Sequence, residues 1–188
     1  MFFSLFAEYF PKMRKISNDE LGRKNVDEFK SASKIPLIIV LDNVRSLHNV
    51  GSVFRTADAF LCEAIYLCGI TAKPPHREIE KTALGATESV SWKYFKTTRE
   101  ALAELRKLDF QLVAVEQAEG GEELENFSPE KNKKLAIIFG HEMFGVSDEA
   151  MEMVDRAVEI NQYGTKHSLN VSVCAGIVIH DIAGKLRK

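Results

Sequence analysis

The sequence predicts an α/β domain, a parallel sheet covered by helices on both faces. Three observations carry this. Short apolar, β-branched or aromatic runs recur from residue 36 onward, each bounded by polar residues or glycine, as buried parallel strands are. Segments of helical apolar period lie between them, and strands alternating with helices of this size form sheets covered on both sides. The 188 residues suit one domain at about 150 residues per domain, long enough to fold without metal or disulfide staples.

Residues 1–35 read as an N-terminal arm and 36–188 as the domain proper. Met1 to Phe10 is apolar but contains Glu8 and no basic leader, which disfavours a secretory signal. Met13-Arg14-Lys15-Ile16 is an alternative native start. Residues 11–34 are polar, with Met13, Ile16, Leu21, Val26 and Phe29 sparsely placed, predicting one short helix or a mobile arm. The expected strands are Leu37–Leu41, Ala64–Cys68, Val90–Tyr94, Phe110–Val115, Leu135–Phe139 and Ala157–Ile160. Val50, Val53, Phe54, Ala57, Phe60 and Leu61 fall on one helical face, and Leu102, Leu105 and Leu108 repeat the pattern over Thr98 to Leu108. Leu169 to Leu186 alternates like a strand at Val171, Val173 and Ala175, but its length predicts a helix. Ser172, Ala175, Gly176 and Ala183 would let another backbone come close to it.

Composition bounds function without naming it. Hydrophobic residues make up 45% and charged residues 28% of the chain, an ordinary globular balance. Its apolar runs stop at five or six residues, far below the ~20 of a membrane helix. Cys62, Cys68 and Cys174 are odd in number and lack C-x-x-C spacing, so they read as reduced core thiols of a cytoplasmic protein. A net charge of −2 offers nucleic acid no global attraction, so RNA binding would need local basic patches. The chain has neither G-x-G-x-x-G after a first strand nor G-x-x-x-x-G-K-[ST], so a ligand at its loops should carry no polyphosphate.

Three segments carry possible chemistry. In Asn49-Val-Gly-Ser-Val-Phe-Arg55, Asn49 is placed to cap a helix, Gly51 would leave space over its start, and Arg55 projects off the apolar face. Arg55 reads either as a guanidinium beside a phosphate or ribose or as a surface partner of Asp58. In Phe139-Gly-His-Glu-Met-Phe-Gly-Val-Ser147, Gly140 and Gly145 permit a tight loop at a strand's carboxyl end, where open α/β sheets bind ligands. Glu142 is fixed inside that loop, and Ser147 looks like the cap of the next helix. His141 beside Glu142 makes no metal pair, because adjacent side chains diverge and no third ligand is evident. In the third segment, Ile160 to Ser172, a polar loop containing His167 leads to Ser168 as the cap of the last helix, with Asn170 just inside it.

Together and in this order, these segments resemble the SpoU/TrmH family of RNA 2'-O-ribose methyltransferases, within the SPOUT superfamily. The matching residues are Asn49, Gly51 and Arg55; Phe139, Gly140, Glu142 and Gly145; and the Ser168-Leu-Asn-Val-Ser-Val173 block. The resemblance covers about residues 36–185. It implies the SPOUT fold, with a deep C-terminal trefoil knot over roughly 135–186, although threaded chains are otherwise nearly absent from proteins. It also implies S-adenosylmethionine bound by the knotted loops, with Gly140, Ile160, Gln162 and Leu169 at cofactor positions, and a homodimer through the C-terminal helix. No membrane is expected as a partner. Arg55, Asn49, Glu142, Ser168 and Asn170 are the implied catalytic residues. A guanidinium is effectively always protonated, so stabilising the developing alkoxide is an easier role for Arg55 than acting as base. Many relatives have Ile-Pro-Met where this chain has Ile160-Asn161-Gln162, and the change removes proline's fixed φ. Gln162-Tyr163-Gly164 resembles some tRNA-modifying members, so tRNA is favoured over ribosomal RNA as substrate. Arg14, Lys15, Arg23, Lys24, Lys73, Arg77 and Lys81 are candidate RNA contacts. Two rival readings remain: a knotted RNA-binding assembly factor without turnover, and a flavodoxin-like nucleotide module.

Overall fold

Leu37, Ile39 and Leu41 point to one side of the first strand and Ile38 and Val40 to the other, and all five are buried. An apolar run of this kind is stable only between two hydrophobic layers, and the computed structural model supplies both. It describes residues 13–17 and 19–187. The apolar first twelve residues, on which the choice between Met1 and Met13 turns, lie outside the described residues.

The strands are β1 (Ile35–Asp42), β2 (Cys62–Cys68), β3 (Trp92–Phe95), β4 (Phe110–Val115), β5 (Glu122–Glu123), β6 (Lys134–Phe139) and β7 (Arg156–Glu159). They form one sheet in the order β3-β2-β1-β6-β4-β7-β5, and every pairing is parallel. The helices are α1 (Val26–Ser31), α2 (Leu47–Ala59), α3 (Arg77–Ala83), α4 (Ala86–Ser89), α5 (Thr98–Lys107), α6 (Asp148–Met151) and α7 (Val171–Leu186). Leu37, Ile39, Leu41, Ile65, Leu67, Leu135 and Ile137 pack with the buried faces of α2 and α7. Ile38, Val40, Tyr66, Leu112 and Ile138 pack instead with Leu102 and Leu105 of α5 and Ala150 of α6. A slip of one residue in β1 would exchange the two sets, each fully buried side chain contributing about 1.5–3 kcal/mol.

Several expectations shift in detail. The third strand begins at Trp92, not Val90, because Val90 closes α4 by donating its N–H to the Ala86 carbonyl at 3.0 Å. Strand β7 ends at Glu159, one residue short of Ile160. Helix α2 stops at Ala59, before Phe60 and Leu61, and Leu61 takes a left-handed φ of 55°. The two-residue β5 is too short to leave a pattern in the sequence. In the arm, a 3-10 turn spans Asp19–Leu21 and α1 follows, closed by an Asn25/Glu28 capping box and anchored by the buried Phe29.

One polar group organises the carboxyl end of the sheet. Asp42 is fully buried at the end of β1. Its carboxylate accepts from the Ser147 N–H at 2.7 Å, from Asn43 Nδ2 at 2.8 Å, and from the Thr98 hydroxyl. The starts of α5 and α6 are thereby tied to the strand beside the Gly140 loop. Ser147 occupies the cap position of α6 as expected, but its hydroxyl makes no capping bond and is buried without a partner.

Candidate active site

The loop after β6 closes on itself. His141 and Gly145 exchange backbone hydrogen bonds, each 2.9 Å long. A Cβ on Gly140 would lie 2.1 Å from the Gly145 carbonyl carbon, so the loop's own return strand demands glycine there. Gly145 has a φ of +68°, and a Cβ on it would stand 2.1 Å from Glu116 Oε2.

Glu142 is held at the heart of this region. Its carboxylate accepts from the Arg45 N–H at 3.0 Å, the Ser46 N–H at 2.9 Å and Asn49 Nδ2 at 3.1 Å. Asn49 Oδ1 in turn accepts from Asn170 Nδ2 at 3.2 Å. One hydrogen-bonded chain therefore joins all three segments singled out in the sequence.

Two capping expectations are corrected by this chain. Ser46, not Asn49, caps α2, which places Asn49 in the first turn and frees its amide to bridge Glu142 and Asn170. Asn170, not Ser168, caps α7, accepting from the Ser172 N–H at 2.9 Å and the Val173 N–H at 3.4 Å. Gly51 leaves no open space over the helix start. Ile79 O and Thr82 Oγ1 sit 2.2 Å from where its Cβ would be, so the glycine admits α3.

Burial pushes the Glu142 carboxyl up, but the Arg45 and Ser46 amides and the Asn49 side chain more than offset this and hold it below the ordinary 4.5. Its stabilisation is complete above pH 4.5 and is lost as pH falls through the lowered folded value. Glu142→Ala is expected to cost about 1.5–3 kcal/mol in urea unfolding at neutral pH. The gap to the wild type should narrow on acidification below 4.5; a gap that stays constant with pH would show that the clasp does not depend on the charge.

The loops enclose a cavity of about 520 Å³ lined by Gly140, Glu142, Ile160, Gln162, Ser168, Leu169 and Asn170 of the expected residues. That volume is typical of small-molecule sites, about 300–1,000 Å³. Among the described residues its lining includes the carboxylates Glu116, Glu142 and Glu159 and no Lys or Arg. Such a donor set fits a cationic ligand without phosphates and disfavours a nucleoside polyphosphate. His167 lines the cavity from the loop, and His141 Nδ1 is occupied by the Met143 N–H at 3.0 Å. Among the described residues, no group of three His, Cys, Asp or Glu could hold a metal ion. Cys174 also reaches the cavity wall, and burial, aided by the charge of Glu116, pushes its thiol up to about 11. Sequence reading missed Glu116, although it directly follows a predicted strand, where α/β sheets place ligand groups.

Arg55 stands apart from the other site residues. It is exposed on α2 and does not line this cavity. It borders a separate hollow of about 340 Å³ with Lys24, Asp58, Gly85 and Glu88. Six residues along a helix amount to ~9 Å, which carries Arg55 away from the Asn49–Glu142 contact. Among the described residues no Arg55–Asp58 ion pair forms, and Asp58 instead accepts from the Ser89 hydroxyl. The other basic candidates are scattered. Arg14 pairs with Glu20 at 2.6 Å, Lys81 pairs with Glu78 at 2.7 Å, and Lys73 lies 4.3 Å from the Tyr94 ring centre. Lys15, Arg23 and Arg77 are exposed.

Fold and site together define an α/β protein with a carboxylate-lined cavity at the carboxyl ends of parallel strands. Residues 36–180 match the SpoU rRNA methylase family, and the chain belongs to it. It is 28% identical over 162 residues to the tRNA (guanosine(18)-2'-O)-methyltransferase of Thermus thermophilus, covering 86% of this chain and 81% of that one. It is 28% identical over 155 residues to the 23S rRNA (guanosine-2'-O-)-methyltransferase RlmB of Neisseria meningitidis, covering 82% of this chain and 61% of that one. The TrmH/SpoU tRNA modifying enzyme of A. aeolicus superposes with a TM-score of 0.76 at 26% identity, over 86% of this chain and 81% of that one. An AdoMet-bound rRNA methyltransferase from Sinorhizobium meliloti gives 0.73 at 26% identity, over 83% and 58%.

Proposed function

We propose that this protein transfers a methyl group from S-adenosylmethionine to a ribose 2'-hydroxyl of RNA, with tRNA favoured over ribosomal RNA. The observation that carries this reading is the Glu142–Asn49–Asn170 chain, which fixes the rim of a carboxylate-lined cavity. S-adenosylmethionine supplies an electrophilic methyl on a sulfonium. The residues at hand for holding it are Gly140, Ile160, Gln162 and Leu169. Ser168 and Asn170 shape the wall where the hydroxyl would enter, and the Glu142 clasp keeps Asn49 and Asn170 in place. In-line transfer requires an oriented hydroxyl and stabilisation of its developing negative charge, and Arg55 has the always-charged group for the second task. The tRNA preference rests on the Gln162-Tyr163-Gly164 stretch at the cavity's edge.

Because Arg55 lies outside its own chain's cavity, the reading is completed by a homodimer in which one protomer's Arg55 serves its partner's site. Helix α7 supports this. Val173 is 52% exposed and Ile177 is 41% exposed, and Gly176 has open space above it. Ile177→Glu should bury a charge in that interface and give monomers in sedimentation; a folded variant that stays dimeric would place the interface elsewhere. A C-terminal knot over about 135–186 belongs to the same reading. It is supported by α7, which follows β7 yet packs against α2 and β1 on the far side of β6. Residues 1–35 form an arm in this reading, and its Lys24 shares a hollow with Arg55. The free cysteines and an RNA substrate support a cytoplasmic location in this reading, and no described helix is long and apolar enough to cross a membrane. The test is methyl transfer from S-adenosylmethionine to unmodified tRNA and ribosomal RNA in parallel, with the methylated nucleoside identified by mass. Bound cofactor with no transfer to either RNA would favour the assembly-factor reading.

A further inference from the structure

We infer that Glu116 makes the cavity read the charge of its ligand, so that it holds S-adenosylmethionine more tightly than the demethylated product. The inference rests on the cofactor reading above and adds a residue to which no role has so far been given.

Glu116 directly follows β4 and reaches across to the Gly140 loop. Its Oε2 accepts from the Val146 N–H at 2.9 Å, and its Oε1 accepts from the Gln117 N–H at 3.0 Å. The carboxylate fills the space that a side chain on Gly145 would need. Its position is therefore fixed by the loop on one side and the strand end on the other, and it lines the cavity. Among the described residues no Lys or Arg shares that lining. Its field is felt there, since it helps burial raise the Cys174 thiol.

The other two carboxylates of the wall are less suited to the task. Glu142 is engaged by three donors from the α2 end of the site. Among the described residues the Glu159 side chain makes no hydrogen bond, and it also borders an outer groove along α7. Glu116 combines a fixed orientation with a place in the cavity wall away from the α2 end of the site.

S-adenosylmethionine carries a sulfonium and an ammonium against one carboxylate. On transfer the methyl–sulfur bond breaks, sulfur keeps the electron pair, and the hydroxyl oxygen gains the methyl and gives up its proton to an RNA phosphate or water. The product is a neutral thioether, so it has lost the charge that a half-buried carboxylate attracts more strongly than one in bulk water. Glu116 thus favours entry of the methylated form and departure of the spent one.

The test is calorimetric binding of S-adenosylmethionine and S-adenosylhomocysteine to wild type, Glu116→Gln and Glu159→Gln, with folding checked by thermal unfolding. Glutamine keeps an acceptor for the Val146 N–H while removing the charge. Glu116→Gln should weaken S-adenosylmethionine binding about tenfold, or about 1.4 kcal/mol, and leave the homocysteine form within about twofold. An analogue with an amine-bearing carbon in place of the sulfonium should lose affinity as S-adenosylmethionine does. Equal losses for charged and neutral ligands would mean that Glu116 only shapes the loop, and would overturn the inference. A selective loss in Glu159→Gln but not in Glu116→Gln would also overturn it. Should the wild type bind neither form, the cofactor reading itself fails, a result distinct from an unchanged ratio.

Discussion

Replacing Arg55 with alanine is expected to slow single-turnover methyl transfer by ~10²–10³, as the loss of one preorganised donor typically does. Affinity for S-adenosylmethionine should hardly change, because Arg55 borders the hollow with Lys24 and not the cofactor cavity. Arg55→Lys should also be slow, since an ammonium cannot present the planar fork that grips phosphate and ribose together. The exposed position of Arg55 sharpens the test. A merely solvated arginine would leave turnover near normal and stability within ~1 kcal/mol. If Arg55 acts across a dimer, mixing Arg55→Ala with a variant disabled at Gly140 should restore activity through hybrid dimers. Mixed protomers that remain inactive would confine Arg55 to its own chain.

Gly140→Val is expected to weaken S-adenosylmethionine binding by about tenfold or more, about 1.4 kcal/mol. The cause lies inside the loop. A Cβ would stand 2.1 Å from the Gly145 carbonyl carbon and 2.2 Å from the Val146 nitrogen, and backbone cannot yield as a flexible side chain does. The His141–Gly145 bridge would open, and the walls formed by Glu142 and Gly145 would move with it. Calorimetry on a variant shown to be folded checks this; unchanged affinity would remove the loop from the cofactor site.

The regular parts of the fold were legible because burial forces pattern. Val50, Val53, Phe54 and Ala57 can share one face only in a helix, and the runs at 37–41 and 135–139 can be buried on both sides only within a covered parallel sheet. The three site segments were legible as spacings of Asn49, Glu142 and Asn170, and the structure joins them through side-chain hydrogen bonds. What the sequence hid was which group satisfies which. Ser46 and Asn49 are both good caps, and only the position of Glu142, nearly a hundred residues away in sequence, decides between them. Glu116 was hidden for a similar reason. Its partner is the Val146 N–H, and no local pattern announces a carboxylate that answers a distant backbone group. Arg55 lies close to Asn49 in sequence, yet the helix carries it to another hollow.

The central claim is that the acceptor is a ribose hydroxyl and that the methyl comes from S-adenosylmethionine. The most direct measurement incubates the protein with unmodified tRNA, unmodified ribosomal RNA and methyl-labelled S-adenosylmethionine, digests each RNA to nucleosides, and locates the label by mass. Label is expected in a 2'-O-methylnucleoside from at least one RNA, tRNA foremost, and should be lost with Arg55→Ala. Label on a base, or saturable S-adenosylmethionine binding with no label in either RNA, would contradict it.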